Sequence, residues 1–336
     1  MNKYSDKIVS LGEIMLRLTP PDYTRIEQAT SFLANYGGGE ANVIVSLSHL
    51  GHNCYYITRL PPNQLGDGAI DYLRSHGVNT DNIARGSSTM GIYFLESGFG
   101  GRPGRVIYNR KHSSFTRIDK KDYDLKNIFK DATWFHISGI TLALGEKARD
   151  MVFACLKAAK KNHVKISFDF NYRSTLWSID EAREVYPQVM PYVDVIFASP
   201  WDFREVLQVG KDIKDDDELM QYAISKYHLE WIFGKTRKIF SSTENAMHSY
   251  VYGPNNIYYR SEEYKFQIFD RIGAGDAFAS GVIHGLLTKP DDPKYAAEIG
   301  IVNSILKQTI FGDVATFKEE ELIEYLNTQG RSEVKR

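Results

Sequence analysis

The chain has 336 residues, of which 43% are hydrophobic, so it can bury one large core or two smaller ones. Its 41 basic and 42 acidic residues give a formal net charge of −1, so electrostatics favour neither nucleic acid nor an anionic membrane as a partner. Two cysteines without metal or CxxC spacing, no signal-peptide core and no membrane-spanning apolar run lead us to expect a cytoplasmic protein.

Short apolar runs alternate with helix-like segments along most of the chain. The apolar runs predict strands at Lys7–Gly12, Asn53–Thr58, Thr133–Gly139, Val164–Asn171 and Val193–Ser199. The segments between and after them predict helices at Glu40–Gly51, Gly66–Gly77, Glu146–Lys161, Ile179–Val189, Asp276–Leu287, Lys294–Lys307 and Lys318–Asn327. This alternation is typical of an α/β fold with a mostly parallel sheet covered on both faces.

Two regions, at about 13–36 and 88–116, interrupt the alternation. Within the second, Met90–His112 alternates apolar and polar residues around the glycine-rich stretch "GFGGRPG", which predicts a β-hairpin with one solvated face. A small sheet inserted into the α/β core accounts for both regions. It could decorate the surface, or it could be a lid that shields a reacting group from water, and the residues alone leave both explanations open.

The stretch "DRIGAGDAF" places a carboxylate where a glycine turn meets the start of a predicted helix. The backbone amides of Gly273, Ala274, Gly275 and Asp276 have no partner inside the helix and could converge on a phosphoryl oxygen. A carboxylate beside that oxygen could accept the proton of an attacking hydroxyl. Taken alone, the stretch fits an acid in the first turn of a helix equally well.

Several other patterns do not support a site. "FGKT" at Phe233–Thr236 resembles the end of a Walker phosphate loop, but Leu229 stands where that loop needs its first glycine. The dinucleotide fingerprint GxGxxG fails because Phe278 occupies its third glycine position. The histidines are scattered, and we expect no transition-metal site among them.

The two glycine motifs together resemble one family. "DRIGAGDAFASG" is similar to the C-terminal signature D-x-x-G-x-G-D-x-F of the ribokinase-like (PfkB) carbohydrate kinases, and "YGGGEANVIVSLSHLG" is similar to their N-terminal signature. The resemblance implies one ribokinase-like three-layer α/β/α domain over residues 1–336, with lid strands inserted at about 13–36 and 88–116. It also implies a kinase that uses ATP and Mg²⁺, with Asp276 as the base and Gly273–Asp276 as the anion hole.

Further segments, among them "VIYNRKHS" and "DFNYRSTLW", resemble the 2-keto-3-deoxygluconate kinases, which make the 6-phosphate. The residues add an independent argument, because arginine forks bind the carboxylate of a sugar acid well. Side-chain alternation places Tyr108 and Arg110 on one face of their strand, and Arg173 follows a strand end. The resemblance implies substrate contacts from Gly38, Tyr93, Tyr108, Arg110 and Arg173. Packing within the lid would also explain the tyrosines, and surface ion pairs would explain the arginines.

One segment departs from the family pattern. Many members carry N-x-x-E after the strand that matches Val193–Ser199, whereas this chain has "SPWD", ending at Asp202. Asp202 could act on Mg²⁺ through water, because that ion usually keeps several waters. Otherwise the metal site is remodelled, or activity is weak or lost. The alternatives are therefore a fructokinase- or ribokinase-like kinase for a neutral sugar, and a sugar-binding relative without activity.

The residues that would contact the nucleotide match the family pattern less closely than the two glycine motifs do. Thr236–Tyr252 is predicted as a strand of the kind that lies near the nucleotide in these kinases, which places the Arg237 region there. Gly273 and Gly275 are expected to contact the phosphates. Members of the family often pair through their lid sheets, so we expect a homodimer whose other partners are ATP and a sugar or sugar acid.

Overall fold

The computed structural model of the protein describes residues 3–328, and within them fourteen strands form two sheets. Numbered in chain order, the strands are β1 (Lys7–Leu11), β2 (Met15–Thr19), β3 (Leu33–Gly37), β4 (Asn53–Leu60), β5 (Ile83–Arg85), β6 (Ile92–Glu96), β7 (Arg105–Asn109), β8 (Trp134–Ser138), β9 (Lys165–Asp169), β10 (Val195–Phe197), β11 (Trp231–Ile239), β12 (Glu244–Gly253), β13 (Ile257–Arg260) and β14 (Tyr264–Gln267). All five strands predicted from apolar runs are present.

Ten of these strands form the central sheet, in the order β13-β12-β11-β10-β9-β8-β1-β4-β5, with β14 also paired to β12. The pairs from β5 to β11 are parallel, and those made by β12 are antiparallel. Neighbouring residues of one strand enter different hydrophobic clusters, as Ile8 and Val9 of β1 do. The sheet is therefore covered on both faces, and the predicted α/β fold with a mostly parallel central sheet is confirmed.

Ten α-helices connect and cover these strands within residues 3–328. They are α1 (Gly39–His49), α2 (Gln64–Ser75), α3 (Leu125–Ile128), α4 (Gly139–Leu142), α5 (Glu146–Lys161), α6 (Ile179–Val189), α7 (Asp216–Tyr227), α8 (Ala274–Thr288), α9 (Pro293–Lys307) and α10 (Glu319–Thr328). Every predicted helix is present to within a turn at each end. None of the helices in this part of the chain is long and apolar enough to cross a membrane.

Local sequence signals explain where these helices begin and which face they bury. Ser178 and Glu181 form a reciprocal capping box at the start of α6. The buried residues of α5 recur at helical spacing and make one apolar stripe: Ala148, Met151, Val152, Cys155, Leu156 and Ala159. The absence of a side chain on Gly285 lets α8 and α9 pack closely. A Cβ at this position would lie only 2.5 Å from the Ala296 Cα.

The remaining four strands form a small sheet in the order β3-β2-β6-β7. β6 and β7 pair antiparallel with Tyr93 opposite Tyr108, so the hairpin predicted within Met90–His112 is confirmed. The small sheet is joined to the rest of the molecule by Arg17, whose buried guanidinium donates to Asp270 at 2.6 Å and to Asp313 at 2.5 Å. This ion-pair network holds the small sheet against the segments that precede α8 and follow α9.

The single strand predicted at Thr236–Tyr252 is wrong. The segment contains the end of β11, a turn at Phe240–Thr243 and most of β12, and the two strands pair antiparallel. Amides of Phe240 and Ser241 both donate to the Glu244 carbonyl at 3.1 Å, which closes the turn. The run "SSTEN" inside the segment is typical of a turn, because its short polar side chains compete for backbone hydrogen bonds.

Candidate active site

A cavity of about 790 Å³ opens between the carboxyl ends of the central strands, the start of α8 and the small sheet. This is where parallel α/β sheets commonly bind ligands. Every residue that the sequence predicts for the site lines the cavity: Gly38, Tyr93, Tyr108, Arg110, Arg173, Asp202, Arg237, Gly273, Ala274, Gly275 and Asp276. The fold therefore brings together residues from seven separate stretches of the chain.

The start of α8 faces the cavity with its amides free. Gly273 precedes the helix at φ +79°, a left-handed conformation, and no side chain caps the first turn. A Cβ at this position would lie 1.7 Å from the Asp313 carbonyl oxygen, so only glycine fits. The Ser304 hydroxyl donates to the Ala274 carbonyl at 2.6 Å and fixes the turn. This end of α8 can bind an anion through the amides of Ala274, Gly275 and Asp276.

Asp276 lies in the first turn of α8, beside those amides. Burial, together with the neighbouring carboxylates Asp169, Asp313 and Glu40, raises the pKa of its carboxyl to about 7. The Asn42 amide donates to Asp276 Oδ2 at 2.7 Å and opposes the rise. A carboxyl that exchanges its proton near neutral pH is suited to general base catalysis.

Two further acids, Asp169 and Asp202, lie at the end of β9 and shortly after β10. Asp169 ends β9, and burial raises its pKa to about 6, although the positive charges of Lys235 and Arg173 oppose the rise. Asp202 Oδ2 accepts from the amide and hydroxyl of Ser199, each at 2.7 Å. Both carboxylates line the cavity, so the "SPWD" segment presents an acid to the site.

The proposed sugar side of the cavity includes residues from the small sheet. Tyr93 is buried and its hydroxyl donates to Asp313, whereas Tyr108 on the facing strand is half exposed. Arg110 is buried and donates through Nε to Glu13 Oε2 at 2.7 Å. The ion-pair alternative therefore holds for Arg110, although the pair lines the cavity and does not lie on the surface.

Arg173 and Gly38 complete this side. Arg173 is exposed to the cavity and makes no side-chain hydrogen bond or ion pair with any residue between 3 and 328. Its guanidinium therefore keeps its full hydrogen-bonding capacity for a ligand. Gly38 caps α1, and a Cβ there would lie 2.0 Å from the Glu13 carbonyl oxygen. The glycine lets α1 approach the loop that carries Glu13.

Several residues of the cavity are not evident from the sequence. Lys235 and Asp169 act electrostatically on Asp276, and Asn42, Asp313 and Glu13 support the predicted residues. Asp169 could have been found, because an acid that ends an apolar strand lies at the ligand edge of a parallel sheet. Lys235 lies within the rejected "FGKT" segment. That segment is part of β11 and not a phosphate loop, yet its lysine reaches the cavity.

Known proteins resemble this chain over nearly its whole length. The sequence profile of the pfkB family carbohydrate kinases matches residues 5–301. A 2-dehydro-3-deoxygalactonokinase of Haloferax volcanii is 31% identical over 94% of this chain and 95% of its own length. A 2-dehydro-3-deoxygluconokinase of Thermoproteus tenax is 30% identical over 91% of this chain and 89% of its own length.

Solved structures give the same result. The 2-dehydro-3-deoxygluconokinase of Thermotoga maritima superposes with a TM-score of 0.91 at 40% identity, covering 96% of this chain and 99% of its own. A pfkB family carbohydrate kinase of Listeria grayi superposes with a TM-score of 0.91 at 33% identity, covering 96% and 100%. The profile match, the relatives and the fold agree, and the chain belongs to the pfkB family of carbohydrate kinases.

Proposed function

We propose that this kinase transfers the γ-phosphoryl group of ATP to the primary hydroxyl of 2-keto-3-deoxygluconate, which yields the 6-phosphate. The observation that carries the proposal is the position of Asp276, a carboxyl with a pKa of about 7 beside the free amides of α8. The similar proteins named as kinases of 2-dehydro-3-deoxy sugar acids support this class of substrate.

The proposed reaction is an in-line displacement at the γ-phosphorus. The sugar hydroxyl oxygen forms the new bond to phosphorus, while the bond to the β–γ bridging oxygen breaks and its electron pair stays with ADP. Asp276 accepts the hydroxyl proton as the attack proceeds. The amides of Gly273–Asp276 stabilise the charge on the phosphoryl oxygens, and they need no reorganisation because the helix holds them in place.

Magnesium fits the carboxylates at the ends of β9 and β10. Among residues 3–328 no cluster of three or more acids or histidines could enclose a metal, so a site made of protein ligands alone is not available there. Mg²⁺ commonly keeps several waters and binds phosphate oxygens, and one or two carboxylates then suffice. We therefore propose that Asp169 and Asp202 hold it, Asp202 through water. When bound, the ion neutralises phosphate charge.

The two ends of the cavity would bind different groups. On the sugar side, Arg173 and the Arg110–Glu13 pair flank the space that Tyr93, Tyr108 and Gly38 enclose, and we assign the sugar acid to it. Arginine recognises a carboxylate through two parallel hydrogen bonds. On the other side, Gly273 and Gly275 would contact the phosphates and Arg237 would lie near the nucleotide. The small sheet would act as the lid.

We further propose a homodimer that acts in the cytoplasm. The face of the small sheet turned away from the cavity is apolar and partly exposed, and it contains Leu16, Leu18, Ile92, Phe94 and Ile107. Pairing two such faces would bury them both. The cysteines Cys54 and Cys155 are both free and buried, which suits a reducing compartment.

A coupled assay of ADP release with ATP, Mg²⁺ and a panel of sugars tests the proposal. We expect kcat/KM to be highest for 2-keto-3-deoxy sugar acids and low for fructose and ribose. Higher values for the neutral sugars would favour a fructokinase- or ribokinase-like enzyme. Calorimetric binding of sugar acids without any ADP formation would instead mean that the "SPWD" segment no longer supports turnover.

Replacement of Asp276 tests the base. Asp276→Asn keeps the size of the side chain but cannot accept a proton, so we expect kcat to fall by about 10²–10⁴-fold. Binding of the sugar acid, measured by calorimetry, should be largely kept. Asp150→Asn, on the exposed face of α5, is the matched control and should leave kcat unchanged. Near-normal turnover of Asp276→Asn would rule out the base assignment.

A further inference from the structure

Lys235 brings an ammonium group to the start of α8. It lies on β11, and side-chain alternation points Phe233, Lys235 and Arg237 into the cavity. Lys235 Nζ lies 3.4 Å from the Ala274 carbonyl oxygen and 4.6 Å from the centre of the Phe278 ring. The ammonium therefore reaches the first turn of α8, the turn whose amides face the same cavity.

The ammonium of Lys235 is half-buried and makes few hydrogen bonds. An ammonium can donate three hydrogen bonds, but within residues 3–328 Lys235 makes only the long one to Ala274. Lys235 lines the cavity, and charges partly removed from water normally find partners. An anionic ligand at the start of α8 would supply them.

Two carboxylates favour the protonated form of Lys235. Burial lowers the pKa of Lys235 to about 8, and Asp169 and Asp276 both oppose that change. Both the proposed metal-binding acid and the proposed base therefore act electrostatically on this lysine. Without a cation here, a phosphate would meet two neighbouring carboxylates and would be repelled by both.

The strand that carries Lys235 indicates which phosphate oxygen of ATP its ammonium would bind. Asp276 is hydrogen-bonded to Asn42 of α1, the helix that Gly38 caps on the sugar side. Lys235 reaches the same turn of α8 from β11, the strand that also carries Arg237. In an in-line transfer the leaving oxygen lies opposite the attacking hydroxyl. If Arg237 lies near the nucleotide, as proposed above, Lys235 is on the side of the leaving oxygen.

We propose that Lys235 is a further catalytic residue, whose ammonium binds the β–γ bridging oxygen of ATP and stabilises the charge that collects there as the bond to the γ-phosphorus breaks. This inference rests on the proposed function of the same site. Lys235 keeps its own proton throughout, because the proton of the sugar hydroxyl goes to Asp276. Its role would be electrostatic stabilisation by a charge already in place.

The test compares three variants by turnover and by nucleotide binding. Lys235→Met removes the charge, Lys235→Arg keeps it, and Lys238→Met is the control on the opposite face of the same strand. We expect Lys235→Met to lower kcat by about 10²–10³-fold, the range seen when one transition-state donor is lost. Lys235→Arg should retain activity within about tenfold of the wild type. The control Lys238→Met should have the same kcat as the wild type.

Calorimetry without sugar separates this role from a structural one. Lys235→Met should weaken binding of ATP and ADP, which carry a β-phosphate, and should leave AMP binding unchanged. An equal loss of AMP affinity, or unchanged turnover, would overturn the proposal. If Lys235→Met does not fold, Lys235→Gln, which can still donate to Ala274, gives the same comparison. Failure of the wild type to phosphorylate any sugar would overturn the proposed function, while the ATP and AMP comparison would still report on Lys235.

Discussion

At the level of single residues, the environment of Asp276 determines how activity should depend on pH. A base works only when deprotonated, so a pKa of about 7 means that kcat/KM falls as the pH drops below about 7. The Asn42 amide lowers this pKa by donating to the carboxylate. Asn42→Ala should therefore raise the pKa of Asp276 and move the acid limb of the profile to higher pH.

A pH profile of kcat/KM for the sugar acid measures this shift. Ser46→Ala is the control, because Ser46 lies on the same helix but bonds to Ser280 and Asn303, outside the cavity. Its acid limb should coincide with that of the wild type. An acid limb that Asn42→Ala leaves in place, or moves to lower pH, would mean that another group controls the profile.

Arg173 offers the cleanest test of carboxylate recognition. Arg110→Ala would leave Glu13 as a buried carboxylate without its partner, so a lower affinity could reflect damage to the fold. Arg173 has no such partner within residues 3–328. We expect Arg173→Ala to raise KM for sugar acids about 10- to 100-fold, which corresponds to the loss of a charged hydrogen bond.

Two comparisons make the Arg173 experiment specific. Arg117→Ala removes an exposed arginine that is outside the cavity and should leave KM unchanged. For a neutral sugar, Arg173→Ala should change KM much less than for the acid, because no carboxylate is present. An equal rise for both sugars would refute the role in carboxylate recognition.

The site residues differ in how far the sequence could predict them. The residues at the start of α8 were found because one short motif contains Gly273, Gly275 and Asp276. Asn42 and Asp313 were not, because their role depends on contacts with Asp276 and Tyr93 that only the folded chain creates. A side chain that supports another one leaves no local pattern in the sequence.

At the level of elements, Arg17 attaches the small sheet to the rest of the molecule. Its guanidinium is buried between Asp270 and Asp313. Arg17→Met leaves both acids buried without their cation, so we expect the free energy of unfolding to fall by about 3–5 kcal/mol. Urea denaturation followed by circular dichroism measures this change.

The control for Arg17 is a pair with the same chemistry at the surface. Arg25 Nη2 lies 2.7 Å from Glu27 Oε1, and both side chains are about half exposed. Ion pairs at the surface contribute little to stability. Arg25→Met should leave the unfolding midpoint nearly unchanged. Equal midpoints for the two variants would show that burial of the Arg17 network does not contribute to stability as argued.

The strands and helices differ in predictability for a physical reason. Strands such as β8, in which every residue is buried, appear as continuous apolar runs and were predicted. β2, β3 and β11–β14 mix polar and apolar residues, because they lie in the small sheet or at the antiparallel edge. Their pairing partners decide that they are strands, so the sequence alone predicts one element from Thr236 to Tyr252 where the structure has two paired strands.

At the level of the whole molecule, the order of the elements predicted the fold class, but not how the two sheets meet. The alternation of strands and helices is a property of the entire chain, so one misplaced strand does not change the class. The cavity depends on residues as distant as Tyr93 and Asp313, joined by one hydrogen bond. The contact of the small sheet with the segments that precede α8 and follow α9 could not be inferred from either motif alone.

The dimer is the last prediction, and it concerns the outer face of the small sheet. Val106 and Tyr108 line the cavity, so the alternate residue Ile107 points away from it and is 54% exposed. Ile107 lies opposite Phe94, whose ring packs against Phe32. A charge at Ile107 would have to be desolvated in a paired interface, so Ile107→Asp should yield a monomer.

Light scattering during gel filtration measures the mass directly. We expect the wild type at twice the chain mass of 38.3 kDa and Ile107→Asp at a single chain mass. Ile257→Asp, at an exposed position on the outer strand β13 of the large sheet, should remain a dimer. If Ile107→Asp also remains dimeric, the interface lies on another face. A wild-type monomer would mean that the apolar face does not pair in solution.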